Sequence, residues 1–165
     1  MTDRILKAMA SAVSGLMALL YVLHNIANVG PAYEFFVYTT SHVDQAAYPV
    51  TLLPVPPAIL IVVAMVVVFA LEMAAGLLGL YGAWKIFAAR DADAATFLAA
   101  KKWAKIGAGC AVLNWWGLFQ GVAVAGYQLW QMPLGEGPFY GSFFFGTIAM
   151  ASLIYISMPE ERVAA

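Results

Sequence analysis

Residues 58–84 read AILIVVAMVVVFALEMAAGLLGLYGAW, 27 positions with a single acidic or basic side chain, Glu72. At about 1.5 Å per residue, a helix of that length reaches about 40 Å, more than the roughly 30 Å hydrocarbon core of a bilayer. A soluble globule of 165 residues encloses too little of its chain to cover such a run. Pro54, Pro56 and Pro57 stand just ahead of it, suited to the outside and the first turn of a helix. The stretch reads as a membrane span, and the pattern recurs along the chain.

Three further apolar runs of sufficient length cover residues 8–29, 104–127 and 139–158. Hydrophobic residues make up 64% of the sequence and charged ones 10%, where soluble domains carry about 25% charge. The mean hydropathy is +0.84. The first run follows Arg4 and Lys7 as a secretory leader would, yet it exceeds the roughly 7 to 15 apolar residues of such leaders, so it is expected to stay as the first helix. No repeat and no low-complexity linker divides the chain. Residues 1–165 are therefore expected to form one all-α domain, a polytopic four-transmembrane-helix bundle.

The eight Lys and Arg residues fall on one side of that bundle. Arg4 and Lys7 precede the first span, Lys85, Arg90, Lys101, Lys102 and Lys105 surround the middle loop, and Arg162 is in the tail. The positive-inside rule places both termini in the cytoplasm, and a bacterial inner membrane is the expected location. The opposite loop, residues 30–55, has no Lys or Arg, and Glu34, His42 and Asp44 are its only acidic or histidine side chains. Pro31 followed by Tyr33, Phe36 and Val37 at helical spacing predicts a short interfacial helix there. Tyr127, Trp130, Phe139 and Tyr140 fit an aromatic belt at the same surface.

Several chemistries find no support in these residues. A formal charge of -1 gives no basic footprint for nucleic acid. Cys110 is a lone cysteine, and two histidines without a carboxylate or thiol cluster give no metal-site spacing. Neither an activated nucleophile, a phosphate loop nor a carboxylate pair is present, so catalysis is not expected.

Each span carries small or polar residues at steps of three and four, the spacing that keeps one helix face toward a neighbour. Gly79 and Gly82 in the second span, Gly117 and Gly121 in the third and Gly146 in the fourth are the expected packing positions. Glu72 lies on such a stripe about 18 Å deep. A charge at that depth costs at least about 2.5 to 3.5 kcal/mol, so the side chain should face the bundle or a watered cavity. By the same rise Asn114 is about 14 Å and Tyr21 about 20 Å from the inner end, and the three are expected to form one intramembrane polar cluster. Desolvation should keep Glu72 protonated at neutral pH and make it a hydrogen-bond donor. His24, Asn25 and Asn28 fall about 24 Å or more along the first span, at the outer rim. A haem or quinone contact at His24, with the Trp115 and Trp116 pair, is the less favoured reading of that rim, and no cofactor is expected.

The order of several short patterns adds a resemblance. They are His24-Asn25 with Asn28, Phe36-Val37, Ser41 with Asp44 and Pro49, Glu72, and Gly82-Ala83-Trp84-Lys85. Phe97 with Lys101, Trp116, and Tyr127 with Trp130-Gln131 complete the set. Together the chain resembles the bacterial proteins described only as predicted small integral membrane protein, a family with four predicted spans. The resemblance implies the architecture and carries no activity.

Three functions follow as expectations. The first is a non-catalytic accessory, assembly or stabilising subunit that associates with other membrane proteins or with itself in the lipid bilayer. The second is a proton-coupled or small-solute transport device centred on Glu72, and the third a quinone or haem redox subunit.

Overall fold

A computed structural model describes residues 1–159 and is entirely helical and irregular over them, with no strand among the described residues. Helix α1 is Thr2–Ala27, α2 Val29–Thr40, α3 Ala58–Ala88, α4 Ala94–Ala100, α5 Lys102–Val112, and α6 Glu136–Ser157. Helix α5 runs without a break into a π-helical segment, Leu113–Gly126. Four of the resulting rods, Thr2–Ala27, Ala58–Ala88, Ala94–Gly126 and Pro133–Ser157, are long and apolar enough to cross a membrane. The helix foreseen in the first long loop is present as α2, joined to α1 through a bend at Asn28 (φ -121°, ψ 42°).

The rods pack in ring order α1, α3, α5 with its π extension, and α6, each antiparallel to its neighbours. Apolar side chains such as Leu16, Leu20, Val63, Phe144 and Ile148 point outward, half or more exposed in several cases, where lipid rather than water would meet them. The interior is narrow and made of small residues: Ala18, Ala75, Ala111 and Ala149 form its centre with Trp115.

Backbone-to-backbone contact ties α1, α3 and α5 together. A Cβ on Gly79 would lie 2.9 Å from the Gly15 Cα, and one on Gly82 would collide with the Ala104 backbone. With no hydrophobic drive between helices in lipid, such approach is what gives dispersion contacts their density. Ser11 donates to the Gly79 carbonyl at 2.7 Å, adding a polar fastening at the same crossing. Gly146 on α6 receives the Trp116 indole instead, which fills the space a side chain would need.

The two ends are closed differently. At the end bearing the N-terminus, Arg4 donates to the carbonyls of Arg90 (3.0 Å) and Ala92 (2.6 Å). Lys101 and Lys7, both buried, donate to the Met158 carbonyl at 2.8 and 3.4 Å, placing cations on the C-terminal dipole of α6. The seven described Lys and Arg residues all belong to the segments that meet at this end; Arg162 lies outside the described residues. At the other end the irregular stretch 42–57 is pinned by glutamines: Gln131 Oε1 accepts from the backbone of Ala47 (3.0 Å) and Tyr48 (2.9 Å), and Gln128 donates to Val50 O at 2.9 Å.

Candidate functional site

Glu72 is 2% exposed and faces α1 and the third rod, as its position on the small-residue stripe requires. Asn25 Nδ2 donates to its Oε2 at 2.8 Å, and Asn114 Nδ2 to its Oε1 at 3.4 Å. In this orientation of the two amides the carboxyl accepts in both contacts.

Asn25, foreseen at the rim, takes the place at the carboxyl foreseen for Tyr21, which stays close by in the cavity wall. Asn25 reaches Glu72, while the Tyr21 ring packs on Trp115 (centroids 6.2 Å apart) and Phe145 (4.9 Å) beside it. The antiparallel register explains the change. Gly15 meets Gly79 and Leu19 meets Gly76, so one and a half turns farther along α1 the Asn25 side chain comes level with Glu72. His24 and Asn28 are exposed where α1 passes into α2, at the rim of the bundle. His24 Nδ1 donates to Leu20 O at 2.9 Å, which leaves Nε2 unengaged along that contact, and Asn28 donates to His24 O at 2.8 Å.

A cavity of about 530 Å³ leads from that rim to Glu72. Tyr21, His24, Asn25 and Asn28 of α1 form one wall, Phe35 and Phe36 of α2 a second, Phe69 and Glu72 of α3 the floor. Trp115 and Phe119 of the π segment and Phe145 of α6 close the rest. The titratable groups on its walls are Tyr21, His24 and Glu72; α2, the π segment and α6 contribute none. A second, almost wholly apolar cavity of about 400 Å³ lies between α2, α3 and the π segment, and Phe35, Phe36, Val68 and Phe119 line both spaces.

The π segment shapes these walls. Its hydrogen bonds run five residues back, as in Tyr127 N to Val122 O at 2.9 Å, so residues four or five apart share a face. Trp115, Phe119 and Val124 therefore turn inward together, the first and last buried. Gly117 and Gly121, expected from an α-helical stripe to pack within the bundle, are turned away from it. A methyl on Gly121 would touch only the carbonyl of Trp116, and one on Gly117 only the Leu113 side chain of its own rod. In their place Trp116 and Gln120 hold α6, with Gln120 donating to Phe139 O at 2.7 Å and Ser142 Oγ at 2.8 Å.

Chemically the site offers one carboxyl, two amides and a ring of aromatic side chains. The Asn114 Oδ1 is buried with no partner. Turning that amide over would present Oδ1 to Glu72, so the same heavy-atom positions suit a carboxylate, which accepts, and a carboxylic acid, which donates. No group of three His, Cys, Asp or Glu side chains converges among the described residues. The aromatic walls Phe35, Phe36, Phe69 and Phe119 were not foreseen, because an apolar ring lining a cavity and one facing lipid look alike in sequence.

Residues 3–159 match a family whose description is "Predicted small integral membrane protein (DUF2165)". No curated protein and no solved structure matches.

Proposed function

The chain belongs to this family of small integral membrane proteins, DUF2165, and from that footing we propose that it binds a small solute within the bilayer at Glu72, as the centre of a proton-coupled or small-solute transport device. The observation that carries this reading is the cavity of about 530 Å³ that opens at His24 and Asn28 and has Glu72 on its floor. A carboxyl used only to fasten helices needs no such space beside it. An ionisable residue at this depth, facing a cavity, is where proton and solute pathways are found in membrane proteins. The amide of Asn114 supports both protonation states, as a proton-coupled step requires.

The test is reconstitution in liposomes with a pH-sensitive dye inside. Wild type should move protons when a pH gradient is imposed, and Glu72→Gln should lower the rate at least about tenfold with an unchanged melting temperature. Equal rates in the two proteins would defeat the reading.

One observation favours association as a second reading, as an accessory, assembly or stabilising subunit. Gly109, Gly117 and Gly121 present a flank of the third rod against which no other helix lies within 4 Å of where a methyl would be. Small residues on an uncovered flank suit the close approach of another protein's helix. Native mass measurement after gentle extraction should then show a stoichiometric partner, released by Gly121→Leu. Recovery of the chain alone would count against it. A bacterial inner membrane with both termini in the cytoplasm completes the proposal, supported by the basic residues gathered at one end.

A further inference from the structure

The walls around Glu72 select among solutes. Seven aromatic rings besides His24 line the cavity, and no Lys or Arg does. Tyr21, Trp115 and Phe145 form a triad with centroids 4.9 to 6.2 Å apart and planes inclined by 57 to 76°. In each inclined pair the edge of one ring meets one face of the other, so the three pairs engage at most three of the triad's six ring faces and leave the others open. The negative face of an aromatic ring attracts a cation, and more strongly where water is excluded. A carboxylate has about four lone-pair sites. Asn25 and Asn114 occupy two here, so acceptor capacity remains toward the cavity. An anion would find an acceptor oxygen and ring faces of the same sign, with no cation among the lining residues to offset them.

We propose that the Glu72 cavity takes a lipophilic organic cation, its charged centre between Glu72 and the Tyr21–Trp115–Phe145 triad and its apolar part directed toward the second cavity across Phe36 and Phe119. This rests on the reading of the cavity as a solute site and names the class of solute. The apolar space of about 400 Å³ abuts the polar one, so a molecule larger than the first cavity has somewhere to extend. Cation and proton would compete for the same carboxyl, with His24 at the rim and Tyr21 in the wall as the other titratable groups facing it.

Three probes of similar shape and different charge test the class: tetraphenylphosphonium, tetraphenylborate and triphenylmethanol. Binding to the full chain in nanodiscs is measured by calorimetry against empty nanodiscs, and protection of Glu72 from a hydrophobic carbodiimide is followed by peptide mass. The phosphonium should bind one per chain and protect Glu72. Glu72→Gln should weaken it at least about tenfold, and Phe145→Leu, which keeps the carboxyl and removes a ring of the triad, about threefold. The borate should bind no better than to lipid alone. Equal binding of both ions, or phosphonium binding that neither variant changes, would overturn the proposal. Protection of Glu72 by the neutral alcohol and not by the phosphonium would overturn the cation class and leave the solute site standing. If no probe binds or protects, and Glu72→Gln leaves proton movement unchanged, both readings fall together.

Discussion

Asn25 and Asn114 both donate to Glu72, and the Oδ1 of Asn114 is buried without a partner. That spare buried acceptor decides what Glu72→Gln should do to stability. The glutamine amide would keep one oxygen toward Asn25 and turn its Nε2 toward Asn114, whose amide rotates to accept. Both contacts survive, and intramembrane hydrogen bonds average about 0.6 kcal/mol, so the variant should melt within about 1 kcal/mol of wild type in detergent. Asn114→Leu removes the rotating partner, and Glu72→Gln in that background should cost more than it does alone; equal costs in a double-mutant cycle would refute the account. Glycines make a second contrast. Gly82→Ala drives a methyl into the Ala104 backbone and should destabilise by about 1 to 3 kcal/mol, while Gly121→Ala should stay within about 0.5 kcal/mol, as thermal melts would show. Glu72 and Asn114 were legible in the sequence because a polar side chain deep in an apolar run has few ways to be satisfied. Asn25 was not, because depth counted along each helix assumes that they end in a common plane. Helix α1 ends at Ala27, level with the middle of α3, and α3 continues toward Ala58 beside α2.

At the scale of elements, the apolar runs announced every span, and Pro31 with its aromatic neighbours announced α2. The π segment left no such mark. Its fourteen residues carry the same apolar composition that an α-helix would, and the change of pitch appears only in which side chains are buried, Trp115 and Val124 rather than Gly117 and Gly121. Helix α4 was not foreseen from the sequence, although its start is fixed locally. Asp93 caps it, accepting from the Thr96 backbone at 3.0 Å, the Thr96 hydroxyl at 2.7 Å and the Ala95 backbone at 2.9 Å, and these bonds hold its carboxyl below the usual aspartate range. A lowered value in the folded state means stability that is present above the unfolded pKa and lost as pH falls through the folded one. Asn also caps well but does not titrate. Wild type should therefore match or exceed Asp93→Asn in melting temperature at neutral pH and fall behind it below about pH 4, and a pH-independent difference would refute the cap assignment.

For the whole molecule, the distribution of basic residues makes a sharp forecast. Reporter fusions after residue 91 should be active only as cytoplasmic reporters, and fusions after residue 46 only as exported ones; the reverse pattern would overturn the orientation. The bundle itself was legible because lipid leaves few options to a chain with four long apolar runs. The cavities were not, since volume arises from how far apart the rods stand and no single residue encodes it. The glycine crossings set that distance unevenly. Where Gly79 and Gly82 meet Gly15, Gly107 and Ala104, main chains touch and nothing can be compressed; toward α2, rods separated by bulky rings enclose about 530 and 400 Å³. The molecule is thus a stiff stem with a compliant cup. Lateral pressure in a bilayer is not uniform with depth, and a change in acyl-chain order on the α2 side would squeeze the cup while leaving the stem unmoved.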